Sequence, residues 1–204
     1  MNTRVPLTTL ERYPDYLNYL RDLNCGEDNK ISSGTIAAAL GLGEVLVRKD
    51  LAFTDCVGKP RVGYITRELI AALENALRCD EEKDAVIVGA GGLGRALLAY
   101  GGFNKYGINV AAAFDSDPEK QSEVGEKPVY PVEKMAEVIG RLGVKLAIIC
   151  VPASAAQSVC DNLVAAGITG ILTFAPVALK VESGITVRQV DLAANLAILA
   201  STMA

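Results

Sequence analysis

Ala85-Val86-Ile87-Val88-Gly89-Ala90-Gly91-Gly92-Leu93-Gly94-Arg95-Ala96-Leu97-Leu98 is the stretch whose reading decides the fold. Ala85 to Val88 reads as a short buried strand, Gly-x-Gly-x-x-Gly follows at Gly89, Gly91 and Gly94, and Arg95 to Tyr100 continues as a helix. Strand, glycine turn and helix in that order form the phosphate-binding corner of a βαβ unit. Gly89 permits the tight turn, Gly91 lets the backbone approach a pyrophosphate, and Gly94 allows close packing of helix on strand. With Ala90, Gly92 and Leu93 between them, these residues form a candidate cofactor-binding turn at the positive end of a helix.

The fingerprint also needs an acidic residue about 20 residues beyond the last glycine. Asp115 stands there, at the end of a second strand read over Val110 to Phe114. Its carboxylate suits the adenosine ribose hydroxyls and repels a 2′-phosphate, which favours NAD(H) over NADP(H), with Asp117 as a second acceptor. A glycine turn that binds nothing, or that takes another nucleotide such as coenzyme A, is the competing reading.

Working outward, Leu146 to Val151 and Gly170 to Phe174 read as further strands separated by helical stretches. That alternation predicts an α/β fold with a doubly wound, mostly parallel sheet. With Phe174 closing the last strand, too little chain remains for a substrate domain, and it ends in an apolar helical tail from Leu192 to Met203. Leu192, Leu196, Ile198, Leu199 and Met203 in that tail either cover their own domain or pack on a second subunit, and a dimer contact is favoured.

The N-terminal part has a different texture. A first helix is expected from about Thr9 to Asn24, its regular part beginning nearer Arg12 because Pro14 is tolerated only in a first turn. Ile36 to Leu40, Gly41-Leu42-Gly43 and Glu44 to Phe53 then read as helix, turn and helix. Arg48 and Lys49 lie on the outward side of the second of these, with Val47 and Leu51 inward, as in a recognition helix. Asp55 to Tyr64, punctuated by Gly58, Pro60 and Gly63, reads as a β-hairpin wing, and Thr66 to Arg78 as a closing helix. The sum is a winged helix-turn-helix. The acidic run Asp80 to Asp84 marks the join, which predicts three parts: a DNA-binding domain over 1–80, a Rossmann domain over 81–188 and a C-terminal dimerisation helix over 189–204.

Composition narrows the function. The 204-residue chain is 50% hydrophobic with a formal net charge of −4. Positive and negative charges balance over residues 1–78, so any nucleic-acid surface depends on local clustering of its cations. No apolar run approaches the roughly 18 residues of a membrane span, and Arg4, Glu11, Arg12 and Asp15 stand where a signal peptide needs apolar residues. A cytoplasmic protein is expected. The five cysteines, Cys25, Cys56, Cys79, Cys150 and Cys160, form no Cys-x-x-Cys pair, and histidine is absent. Neither a disulfide framework nor a metal site is expected, and no catalytic residue is nominated.

Nearly the whole chain resembles the Rex family of bacterial redox-sensing transcriptional repressors. The resemblance rests on Val47-Arg48-Lys49-Asp50-Leu51, Gly58-Lys59 and Val62-Gly63-Tyr64, then Gly89 to Leu97, Tyr100-Gly101-Gly102-Phe103, Ala112 to Asp115, Asp117 to Lys120, Val151-Pro152, Gly170 to Leu172, Phe174-Ala175-Pro176 and Val190-Asp191-Leu192. It implies a homodimer with swapped C-terminal helices that holds an inverted-repeat DNA operator when NAD⁺ prevails and releases it when NADH binds. By position it implies DNA contact for Arg48, Lys49 and Lys59, and Arg61, a second cation in the same wing, is nominated beside them. It also places Val151 and Pro152 at the cofactor, and Tyr100 and Asp191 near the nicotinamide end and the domain junction.

The chain departs from that pattern in two places. The family usually reads Gly-Lys-Arg-Gly-Val-Gly-Tyr in the wing, where this chain has Gly58-Lys59-Pro60-Arg61-Val62-Gly63-Tyr64. Asp55 replaces a glycine before the wing, and Ala52 and Thr54 stand where Ser and an aromatic are common. Asn18 occupies a position where the family typically has an arginine able to pair with the aspartate matching Asp191, so that ion pair cannot form. The expected function is a DNA-binding repressor sensing the NADH/NAD⁺ ratio. The alternatives are an NAD(H)-binding regulator with weakened or altered DNA binding and a small NAD-dependent oxidoreductase.

Overall fold

A computed structural model describes residues 5–23 and 29–203; Arg4 and Cys25, named above, and the expected helix end at Asn24 lie outside the described residues. The chain divides into two compact units, Met1–Glu81 and Glu82–Ala204.

The first unit contains α1 (Leu7–Leu10), α2 (Tyr13–Asp22), β1 (Lys30–Ile31), α3 (Ser33–Leu40), α4 (Glu44–Leu51), β2 (Tyr64–Ile65) and α5 (Thr66–Ala76). The single first helix expected from the sequence is two helices. The chain turns at Glu11 and Arg12, and Pro14 sits in the first turn of α2, where its missing amide costs no helical bond. Ser32 caps α3 by accepting from the Thr35 amide at 3.0 Å. The apolar faces of these helices meet in a core of Tyr13, Tyr16, Leu17, Leu20, Ile36, Val47, Leu51, Leu69 and Leu73.

The wing is smaller than the expected β-hairpin. Residues 55–63 hold one isolated antiparallel bridge, Lys59 to Gly63, while Tyr64–Ile65 pairs with Lys30–Ile31, a strand the sequence did not announce. Two-residue strands carry no readable alternation, and Pro60 removes a donor that a longer ladder would need.

The second unit is a six-stranded sheet of β3 (Lys83–Val88), β4 (Ile108–Asp115), β5 (Val129–Pro131), β6 (Leu146–Ile149), β7 (Gly170–Thr173) and β8 (Thr186–Gln189). Its spatial order is β5-β4-β3-β6-β7-β8, and all five pairings are parallel. This is the doubly wound order, reversing direction between β3 and β6. β8 lies beyond Phe174, so the strand ending there is not the last. β5 and β8 are edge strands of three and four residues, too short for periodicity to reveal.

Helices α7 (Met135–Leu142) and α8 (Ala153–Ala165) cover one face, packing on Val86, Val88, Ala147, Ile149 and Ile171. Helix α6 (Gly92–Leu98) and the 3-10 turn Gly101–Tyr106 cover the other face over β3 and β4. The terminal helix α9 (Leu192–Ser201) leaves Leu192, Leu196, Ile198 and Leu199 exposed.

Candidate functional site

A cleft of about 790 Å³ opens at the carboxyl ends of β3, β4 and β6, where the strand order reverses. Its walls include Gly89, Gly91, Asp115, Val151 and Pro152 among the residues nominated from the sequence. Two of the glycines explain its shape. Gly89 has φ +100°, which side chains rarely tolerate, and a Cβ there would lie 2.7 Å from the carbonyl oxygen of Cys150. At Gly94 a Cβ would lie 1.8 Å from the Gly89 carbonyl oxygen, so only glycine lets α6 approach the turn this closely. A Cβ at Gly91 would meet nothing within 4 Å: here the backbone borders open space in the cleft, as an approaching pyrophosphate requires. The first amides of α6 have no intrahelical partner and are free to donate to such an anion.

Asp115 is buried and braced. One carboxylate oxygen accepts from the Ala90 amide at 2.7 Å and the other from the Asp117 amide at 2.9 Å. The carboxylate therefore ties the glycine turn to the end of β4, and each oxygen keeps a second lone pair for a ribose hydroxyl. Ala90 is fully buried and does not line the cleft itself; its amide braces Asp115, which does. Asp117 also lines the cleft; its carboxylate is held below the usual range by the Glu119 amide and by Lys120, whose Nζ lies 3.2 Å away.

Gly92, Leu93, Gly94, Tyr100 and Asp191 do not line this cleft. Leu93 is exposed; Tyr100, also exposed, packs edge-to-face on Phe103 at 5.3 Å. Asp191 caps α9, accepting from the Ala194 amide at 2.8 Å. The sequence reading missed Lys120, Glu133, Ser158 and Asn162, which the cleft also includes. Ser158 and Asn162 lie on α8 at a spacing of four, a signal that becomes visible only once that helix is known to cross the strand ends. Cys150 lines the cleft too, and burial pushes its thiol up to about 11, so it stays protonated at neutral pH. Among the described residues no group of three or more Cys, Asp and Glu is placed to hold a metal.

In the first unit a second cleft of about 500 Å³ brings Arg48, Lys59 and Arg61 together with Ser32, Ser33, Glu44 and Tyr64. Lys49 stands outside it, exposed on the same outward side of α4. Arg48 pairs with Glu44 at 3.8 Å, both largely exposed. Arg61 adopts φ +62°, the left-handed region, at the position where the wing pattern usually carries glycine. A non-glycine residue there costs about 1 kcal/mol. Arg61→Gly is therefore expected to raise the stability of this unit by about that amount in urea unfolding while removing one cation from the cleft.

Behind this surface lies a cluster that the sequence reading did not identify. Asp50 is 2% exposed and accepts from Arg12 Nε at 2.6 Å, Arg12 Nη2 at 2.7 Å, Tyr16 OH at 2.7 Å and Thr9 Oγ1 at 2.9 Å. Tyr13 OH donates to its backbone oxygen at 3.0 Å. Burial pushes the Asp50 carboxyl up, but the donors from Arg12, Tyr16 and Thr9 outweigh it and hold it below its ordinary value. One side chain adjacent to Lys49 thus ties α4 to α1 and α2. The available signal was its position three residues after Val47, on the inward face of α4.

Residues 4–52 match the family model described as a putative DNA-binding protein N-terminus, and residues 80–177 match the CoA binding domain model. The chain is 41% identical over 197 residues to the redox-sensing transcriptional repressor Rex of Streptomyces avermitilis, covering 96% of this chain and 78% of that protein. It is 36% identical over 204 residues to the Rex repressor of Porphyromonas gingivalis, covering 100% of this chain and 94% of that one. Among solved structures it is similar to RSP in complex with NAD⁺ and operator DNA, with TM-score 0.91, 31% identity, and 98% and 93% of the two chains covered. RSP in complex with NADH matches with TM-score 0.88, 31% identity, and 98% and 95% covered.

Proposed function

Since the chain belongs to the Rex family of redox-sensing transcriptional repressors, we propose that it is a DNA-binding repressor that senses the NADH/NAD⁺ ratio and releases its operator when NADH binds. The observation that carries this reading is the full-length likeness to RSP, solved once with NAD⁺ and operator DNA and once with NADH. The glycine cradle at Gly89, Gly91 and Gly94 fits a dinucleotide pyrophosphate, and Asp115 and Asp117 meet the ribose with carboxylates that favour NAD(H) over NADP(H). Val151 and Pro152 continue the same wall. Arg48, Lys49, Lys59 and Arg61 face the duplex. Tyr100 and Asp191 are assigned to the nicotinamide end on the resemblance alone.

The chain acts as a homodimer on an inverted repeat in the cytoplasm, with α9 swapped onto the partner. Exposed Leu192, Leu196, Ile198 and Leu199 support this, as does an apolar groove of about 250 Å³ on the sheet face that α6 leaves open, lined by Phe103, Ile108, Leu146, Ile148 and Leu172. Two-fold symmetry would set one winged helix against each half-site. The role is regulatory rather than catalytic, in keeping with the names of its relatives. Among the described residues no helix is long and apolar enough to cross a membrane.

The test is binding to the RSP operator duplex at moderate salt, without nucleotide and with NAD⁺ or NADH. Specific binding abolished by NADH is the expected result. Binding indifferent to both nucleotides would mean that the coupling is lost, as the uncharged Asn18 suggests, since a ligand shifts an equilibrium only by its differential affinity for the two states. The match to a CoA binding domain model favours one second reading, in which coenzyme A, and not NADH, raises the melting temperature.

A further inference from the structure

The recognition surface of α4 is mixed in chemistry. Val47, Asp50 and Leu51 are 0%, 2% and 0% exposed and fix its inward face. At 100° per residue, the opposite stripe runs through Val45, Arg48, Lys49 and Ala52, spaced i, i+3, i+4 and i+7. Val45 lies at the centre of that stripe in the first turn of α4 and is 55% exposed; Leu46 lies on its flank at 39%. A β-branched apolar side chain thus occupies the place on a helix-turn-helix that meets base edges, with two cations one turn further on at Arg48 and Lys49.

Val45 has no hydrogen bond to offer a base, and the thymine C5-methyl is the only apolar group that major-groove edges present. The cations around it supply the charge complementarity that brings a duplex to this face, with Arg48 in the same cleft as Lys59 and Arg61. We propose that Val45 reads a thymine methyl in the operator half-site, making it a specificity-determining residue beside the phosphate-binding cations. This rests on the DNA-binding reading above.

The full-length protein is first used to enrich a duplex from a randomised library. That duplex is then remade with deoxyuridine in place of one thymidine at a time, which deletes the methyl and leaves the hydrogen-bonding edge unchanged. Wild-type binding is expected to weaken roughly fourfold at one thymidine of a half-site, the effect of exposing about one methyl group. In Val45→Ala, which withdraws both γ-methyls and leaves only the short Cβ, the ratio between thymidine and deoxyuridine duplexes falls well below fourfold, with the salt dependence of binding retained because no phosphate contact is lost. Leu46→Ala keeps the fourfold ratio. Val45 is exposed and alanine is the better helix former, so the variant folds. A methyl effect that survives Val45→Ala undiminished, one that Leu46→Ala abolishes, or its absence at all thymidines overturns the proposal while leaving DNA binding intact. Failure to enrich any duplex removes the DNA-binding reading and this proposal with it.

Discussion

Asp50→Ala is expected to destabilise the first unit by about 3 kcal/mol, because the substitution takes away the carboxylate that Thr9, Arg12 and Tyr16 all donate to. Thr9 and Tyr16 lose a carboxylate acceptor inside the core, and Arg12 loses both bonds of a bidentate pair. The Arg12 side chain is 25% exposed and recovers part of its hydration, which keeps the loss near the lower end of what breaking a buried pair costs. Urea unfolding followed by circular dichroism measures it; a loss below about 1 kcal/mol would mean that the cluster relaxes onto water.

The same residue predicts a pH dependence. Asp50 is held below its ordinary value in the folded state. Between the two values the unfolded chain binds more protons, so stability rises with pH there. The contribution is complete above the ordinary carboxylate value near 4 and is lost as the pH falls through the lowered one. Asp50→Ala should therefore flatten the acid limb of the stability curve. Because Asp50 follows Lys49 in α4, operator affinity should fall as well, and Asp50→Asn, which keeps volume and one acceptor, should recover part of the stability.

Gly94→Ala is the second large effect. Its Cβ would lie 1.8 Å from a backbone oxygen, so the turn and α6 must separate. A stability loss of about 3 kcal/mol is expected, seen as a lower melting temperature, and NADH binding weakens as well because the displaced turn is the one that cradles the pyrophosphate. Gly91→Ala separates the two readouts: its Cβ meets no protein atom within 4 Å, so the fold survives while the space a pyrophosphate needs is filled. Melting with saturating NADH reads both variants, since a ligand at about 100 times its Kd stabilises the wild type by about 2.7 kcal/mol. Equal NADH protection of Gly91→Ala and wild type would move the pyrophosphate off this turn.

The dinucleotide half of the protein was legible because its signals are local. Ala85 to Leu98 contains a strand, a glycine turn and a helix within one short run, and Asp115 follows at a spacing set by one βα unit. The helix-turn-helix was legible for the same reason, from the Val47 and Leu51 spacing and the glycines at 41 and 43. The limits of local pattern show at Pro14, which splits the first helix, and in the wing, where glycine punctuation suggested a hairpin but Tyr64–Ile65 pairs with Lys30–Ile31 instead.

The sequence by itself determined the α/β class, the glycine cradle, the helix-turn-helix and the apolar terminal helix, each written in neighbouring residues by periodicity or by the conformational demands of a turn. Only the tertiary structure decided that Asp50 gathers Thr9, Arg12 and Tyr16 from positions 41, 38 and 34 residues away. It also decided that Arg48 joins Lys59 and Arg61 while Lys49 does not, that Asp115 braces the turn it was expected to serve, and that Tyr100 and Asp191 stand outside the cleft of their own chain. The physical reason is one of range: periodicity reports which side of an element is buried, whereas a buried carboxylate or a cation cluster is defined by groups that only the packing of distant elements brings within hydrogen-bonding reach.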